Sequence, residues 1–347
     1  MSTKIRYIII AMLLFYSCNS NRQKYDFSSN EINISGTKVD IGVMLAAPIE
    51  LIYLDPLLLF FDFYKNTFVT VFDTKNGQFV RRFITEGQGP GEVTYSKLSL
   101  FVSTADKQMY LYQNSTRRIN IYEQSDIIDK ESIIPKQLSF ENANYIKKVK
   151  DGYIGVGYFE DGRFRLYDSA GNIISSFGEY PFRGKETAMN YMDRFILYQG
   201  VLASSADGNY FAIGTNYCDN LEFYHIENGK AELIKKYETY DAKAIMNGNF
   251  IQVDNDCIMN YLLAYGGKYC YMLYSGEHYR ENNKLHSIGG SKIIVFDWNG
   301  NYIKSYKTDM FLRAFCVDEE NNIIYASASD YNDETGGGAG IFKVDMK

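Results

Sequence analysis

The stretch VFDTKNGQFVRRF at 71–83 decides the fold. It reads as an apolar strand ending in Asp73, a short polar turn that closes on Asn76-Gly77, and a second strand. Asn-Gly is favoured in tight hairpins because the central turn residues need positive φ. The same pattern returns as LYDSAGNIISSFG at 166–178 and VFDWNGNYIKSY at 295–306. Weaker copies are IYEQSDIIDKESI (121–133), FYHIENGKAELIKKY (223–237) and the C-terminal IFKVDMK (341–347). Six spaced copies of one hairpin mark a repeat architecture.

A second marker lies upstream of each copy, an acidic turn after an apolar run. It reads Asp55-Pro56, Asp106-Lys107, Asp151-Gly152, Asp207-Gly208 and Asp318-Glu319, with Gly266-Gly267 in the fifth unit. The distance from this turn to the residue at the Asp73 position is 18 (55 to 73), 17 (106 to 123), 17 (151 to 168) and 18 (207 to 225). That constancy implies two further strands, so each unit is a four-stranded antiparallel meander, A to D from the inside outwards. A lone unit cannot bury both faces of its sheet, whereas stacked neighbours do, which predicts an all-β, six-bladed β-propeller. The units run over about 51–85, 98–138, 145–178, 200–237, 250–306 and 311–347. The last stops after strand C. The stretch EINISGTKVDIG at 31–42 has strand character and is expected to supply the missing outer strand, closing the ring within one domain of residues 31–347.

Composition sets the outer bounds. With 46% hydrophobic and 16% aromatic residues and only 5 Pro, the chain is neither disordered nor collagen-like. A net charge of -6 argues against a phosphate-backbone binder, so nucleic acid is not an expected partner. Lys4 and Arg6 precede a nine-residue apolar run, YIIIAMLLF at 7–15. Such a run is too short for a membrane-spanning helix, which takes about 20 residues, and it fits a signal peptide over residues 1–17. Ser17-Cys18 after it resembles the lipobox of bacterial lipoproteins, which implies acylation of the Cys18 thiol and a membrane partner through that lipid. Residues 18–30 then form a polar tether, and losing Lys4 and Arg6 takes the charge from -6 to -8. The expected location is the bacterial cell envelope, at the outer membrane and facing the periplasm. Four cysteines remain, Cys218, Cys257, Cys270 and Cys316, enough for two disulfides or for none. Cys270 and Cys316 sit in apolar runs that suit packed thiols.

The loop after the first unit, Gly87-Gln88-Gly89-Pro90-Gly91-Glu92, resembles the inter-blade signature of TolB-like and NHL-type six-bladed propeller lipoproteins. The blade resemblance covers nearly all of the mature chain. It implies the fold and an envelope setting, and leaves function open because propellers host unrelated activities.

In a propeller the D-to-A and B-to-C connections share one face, and the A-to-B and C-to-D turns share the other. The long segments fall in the first class: 86–97, 179–199, 238–249, 275–291 and 330–338. One face is therefore elaborated and the other plain, and binding residues concentrate on loops held by a rigid scaffold. The candidate ligand-binding residues on the elaborated face are Tyr180, Phe182, Arg183, Tyr191, Arg194, Tyr240, Tyr279, Arg280 and Tyr331. Tyr with Arg is the composition of protein-binding hot spots, and aromatic faces stack on sugars; the same rings also serve to order loops. KETAMNYMDRFILYQ within the second insertion has a helical period.

No catalytic residue, metal or cofactor is expected. Glu277-His278, Glu281 and His286 match no ligand motif, and Asp330-Tyr331-Asn332-Asp333-Glu334 has Thr335 where a calcium loop of the EF-hand type requires Gly. GxSxG is absent, and the Gly87 loop has neither phosphate-binding spacing. The reading is a lipid-anchored envelope propeller that binds an envelope protein, glycan or peptide through its loop-rich face. The alternative is a metal-assisted hydrolase or lyase of lactonase type at the channel mouth.

Overall fold

The computed structural model of the chain describes residues 25–94, 98–181, 189–247, 250–281, 284–285, 289–329 and 340–347. Two short strands come first, β1 (Glu31–Ile34) and β2 (Gly36–Lys38). Blade 1 is β3 (Ile49–Leu54), β4 (Leu57–Tyr64), β5 (Thr67–Asp73) and β6 (Gln78–Thr85). Blade 2 is β7 (Leu98–Ser103), β8 (Gln108–Gln113), β9 (Arg118–Glu123) and β10 (Lys136–Ser139), with helix α1 (Gln124–Asp129) before its last strand. Blade 3 is β11 (Ala143–Val149), β12 (Gly152–Gly157), β13 (Phe164–Asp168) and β14 (Ile173–Phe177). Helix α2 (Tyr191–Leu197) leads to blade 4, which is β15 (Gly200–Ser204), β16 (Tyr210–Thr215), β17 (Asn220–Glu227) and β18 (Lys230–Glu238). A hairpin, β19 (Ala244–Asn247) and β20 (Phe250–Val253), precedes blade 5, whose inner strands are β21 (Tyr261–Gly266) and β22 (Cys270–Tyr274). Then come the short pair β23 (Arg280–Glu281) and β24 (Lys284–Leu285), followed by β25 (Gly290–Phe296), β26 (Tyr302–Asp318), β27 (Ile323–Ser329) and β28 (Gly340–Asp345).

The repeat is written in the turns. Asp73 Oδ1 accepts from Lys75 N at 2.8 Å while Asn76 Nδ2 donates to Asp73 Oδ2 at 2.7 Å. Asp168 with Asn172 and Asp297 with Asn301 repeat the arrangement, each with an Asn amide bond of 2.9 Å. The Asp ends its strand and satisfies the amides that the turn leaves without strand partners. Gly77, Gly171 and Gly300 take φ of 66°, 90° and 76°, the left-handed region where a Cβ is strained.

Blades cover one another's faces. The buried apolar residues fall into one cluster per interface, for example Leu59, Val71, Leu111 and Tyr122 between blades 1 and 2. Others lie between blades 2 and 3, 3 and 4, 4 and 5, and 5 and 6. The sixth joins Tyr53, Phe60 and Phe72 of blade 1 to Cys316, Tyr325 and Ile341 of blade 6, so the circle is complete.

The N-terminus makes the closure. β2 pairs antiparallel with β28, Thr37 opposite Lys343, and is the fourth strand of blade 6. β1 does something the sequence reading lacked: it adds in parallel to the outer edge of β26, Ile32 opposite Tyr306, as a fifth strand of blade 5. The chain is already seated at Tyr25 and Phe27, within the stretch read as tether, with ring centroids 4.6 Å and 5.4 Å from that of Tyr237.

Three further features differ from the sequence reading. Blade 5 begins at Tyr261, because Phe250 belongs to the β19–β20 hairpin. Its outer strand runs without a break into the inner strand of blade 6, so β26 is a single 17-residue strand. One insertion falls on the plain face: 124–135 holds α1, and the Arg81 guanidinium donates to carbonyls of Ile127, Lys130 and Glu131 beneath it. All four described cysteines are buried free thiols.

Candidate functional site

The loop-rich face carries a groove of about 550 Å³ between blades 2 and 3 and the start of α2. Arg117, Glu141, Asn142, Tyr158, Glu160, Asp161, Arg165, Tyr191 and Met192 form its walls. They arrive from four connections and from β13, which the sheet registers bring to one edge.

Helix α2 is short and well anchored. The Asn190 side chain accepts from Asp193 N at 2.9 Å and donates back to Asp193 Oδ2 at 2.8 Å, a reciprocal N-cap. Phe195 and Leu197 are buried, and the Phe195 ring meets Tyr158 edge-on at 4.6 Å. In the first turn of the helix, Tyr191 and Met192 are exposed at the groove.

The opposite wall is polar and held rigidly. The Arg165 guanidinium lies 4.3 Å over the Phe159 ring and donates to Asp161 Oδ1 at 2.9 Å. Ser176 Oγ donates to the other Asp161 oxygen at 2.7 Å. The Ser176 hydroxyl, with Arg165 beside it, keeps the Asp161 carboxyl below the usual carboxylate range. Arg117 donates to Asn142 Oδ1, and both residues have positive φ. Glu141 and Glu160 are exposed at the rim.

Under this wall is a buried ion pair. Arg163 Nη1 is 3.1 Å from each Glu222 oxygen, and both side chains are almost fully buried. Glu222 also accepts from Tyr224 Oη at 2.6 Å and Asn220 Nδ2 at 3.1 Å. The pair ties the B-to-C loop of blade 3, which carries Glu160 and Asp161, to the third strand of blade 4.

The structure separates the residues expected at the site. Tyr191 lines the groove, and Arg194 on the same helix donates its Nε to Met189 O at 3.1 Å. Tyr180 packs against Tyr198 in a small apolar cluster under the loops. Tyr240 donates to Asn260 Oδ1, and burial pushes its hydroxyl well above the usual phenol range. Tyr279 meets Tyr217 edge-on at 5.3 Å. Phe182, Arg183, Tyr331, the Arg280 side chain and Cys18 lie outside the described residues.

The Gly-rich loop after blade 1 folds around its own acid. Gly89 N donates to Glu92 Oε2 at 2.8 Å, and a Cβ on Gly87 would sit 2.0 Å from the same oxygen. The glycines there make room for Glu92. Among the described residues no three His, Cys, Asp or Glu side chains converge to hold a metal.

The fold and the groove define a class: an all-β propeller with a plain face and a loop-built face. The family model described as TolB-like 6-blade propeller-like matches residues 26–320, and the chain belongs to that family. Among solved structures it is similar to a putative exported protein of Bacteroides fragilis, at 16% identity and a TM-score of 0.55, covering 90% of this chain and 95% of that one. It is likewise similar to a member of the duf4221 family from Bacteroides vulgatus, at 13% identity and a TM-score of 0.55, covering 90% and 96%. These likenesses show the fold. No curated protein matches the chain.

Proposed function

We propose that this protein is a non-catalytic binding module, lipid-anchored through Cys18 to the outer membrane and facing the periplasm, whose groove beside α2 takes a glycan or peptide. The observation that carries the reading is the groove itself. An aromatic and thioether edge, Tyr191 and Met192, faces the Asp161 carboxylate and two arginines, each held by a hydrogen bond, with Glu141 and Glu160 at the rim. Such a wall offers stacking surface and fixed polar groups at little ordering cost. The Bacteroides fragilis neighbour, described as a putative exported protein, supports the envelope setting, and the sequence supports a signal peptide over 1–17, a tether from Cys18 and one domain from residue 31.

A thermal-shift screen of the mature chain against envelope glycans and peptides tests the reading. A ligand at a hundredfold its dissociation constant stabilises by about 2.7 kcal/mol. The expected hit loses its shift in Tyr191→Ala. A shift produced by divalent metals alone would instead favour the hydrolase alternative, and Cys18→Ser retained in the membrane fraction would remove the anchor.

A further inference from the structure

The six inner strands share a register, which fixes the residues at one level of the central channel. Lys147 pairs with Ile154, which pairs with Leu166, two residues before the turn-closing Asp168. The same two rungs in the other blades lead to Ile52, Phe101, Ala203, Tyr265 and Cys316. Five of six equivalent positions thus carry no charge at neutral pH, and the third blade places a lysine there. Packing does not require a charge at a level where the repeat tolerates an alanine.

A cavity of about 70 Å³ lies on the axis at this level, walled by inner strands of all six blades and by Lys147. Next to it, among the A-to-B turns of the plain face, lies a wider mouth of about 170 Å³, and the two share Val102, Ser204 and Gly266. Of the other charged groups of the mouth, Lys150 is exposed at its rim and the remaining three are committed. Lys148 Nζ donates to Val149 O at 2.8 Å and Lys150 O at 3.4 Å. Asp106 accepts from Ser103 Oγ at 2.8 Å, and Asp207 accepts from Ser205 Oγ at 2.5 Å and Asn209 Nδ2 at 2.8 Å. Lys147 Nζ lies 5.1 Å over the Phe101 ring and has no hydrogen-bond acceptor among the described residues.

We propose that the channel is a second binding site, entered from the plain face, in which the Lys147 ammonium takes the carboxylate of a small organic acid. This site is independent of the groove on the opposite face. A water molecule needs only about 10–15 Å³ of such space, so the inner cavity has room for a carboxylate. A single lysine matches a monoanion. Glu50 of β3, whose Oε2 accepts from Leu100 N at 2.6 Å, adds a negative charge nearby that disfavours a dianionic phosphate. Tyr265 and Cys316, the other titratable side chains at this level, are pushed well above their ordinary ranges by burial and stay neutral. Burial also lowers Lys147, to about 8, with Glu50 opposing the shift. A bound carboxylate favours the ammonium and draws a proton onto it.

The test is the Lys147 titration followed by NMR in protein carrying isotopically labelled lysine. The signal is assigned as the one lost in Lys147→Arg, and sodium acetate is the probe, against sodium chloride at equal ionic strength. The expected midpoint near 8 in chloride rises by about one pH unit at acetate ten times its dissociation constant. Ala203→Phe, which fills the channel at the same level and leaves Lys147 in place, is expected to abolish the rise. A Lys147 midpoint equal in both salts overturns the proposal, and so does a rise that persists in Ala203→Phe. Should Lys147→Arg not fold, the wild-type spectrum still decides, because no lysine with a midpoint near 8 would then respond to acetate if the site does not exist.

Discussion

The two faces of this propeller are built from the same strands and obey different rules. On the plain face the third strands of three blades end in a residue that caps its own turn, Asp73, Asp168 and Asp297, within four residues. Glu319 even joins two blades there, accepting from Lys268 N, Tyr269 N and Tyr271 Oη. On the loop-rich face the long connections are held by contacts remote in sequence, such as Arg163 with Glu222 and Tyr240 with Asn260. Local closure leaves no chain to spare for recognition, whereas remote closure leaves exposed segments such as Tyr191-Met192 on rigid supports.

The harshest way to break the contrast is to remove what both faces depend on. Deleting 31–42 exposes the outer edge of blade 6 and strips β1 from blade 5. It is expected to cost several kcal/mol or abolish folding; an unchanged melting temperature would sink the closure. Next in size is the loop-face ion pair. Glu222→Gln leaves Arg163 charged and buried without its partner, and urea unfolding should show a loss of about 3–5 kcal/mol.

The channel between the faces gives a pH signature. Lys147 has a folded-state pKa of about 8, below its ordinary 10.5, so the folded state binds fewer protons than the unfolded state between those values. Stability therefore rises with pH across about 8 to 10.5, and the burial penalty is fully present below 8. Relative to Lys147→Met, the wild type is expected to gain on the order of 1–2 kcal/mol over that window, allowing for the solvent the channel admits. Denaturation curves of the two proteins at pH 7 and pH 10 check it.

On the plain face, Asp297→Ala removes the cap on the Asn301 amide and should cost about 1 kcal/mol, read as a fall in the melting temperature. Smallest in stability is Tyr191→Ala, within about 0.5 kcal/mol of wild type because the ring is exposed. Its effect belongs in binding. A groove ligand held equally well by this variant would count against the proposed site.

The same contrast explains what could be read in advance. The plain-face turns were legible because their chemistry is local: an Asp, an Asn and a Gly within five residues state the whole contact. The fusion in β26 was not, since 302–318 carries no Gly or Pro to mark where blade 5 ends. QSDIID is strand-like in company with its repeat neighbours and forms α1 because a six-residue apolar-polar run fits both periods. Of the groove, Tyr191 alone came from sequence, because Arg117, Glu141 and Arg165 meet it only through sheet register. The Lys147 signal was available from aligning the six inner strands, a comparison the turn motifs alone do not prompt.

The pairing of β2 with β28 joins residues 36–38 to residues 342–344. A chain made or threaded from its N-terminus holds β2 unmatched until residues 342–344 have emerged. Every other blade can assemble from neighbours as they appear, but this one waits. Loops spanning most of the chain close slowly, so ring closure is expected to be the late kinetic step and the period before it the time of greatest aggregation risk.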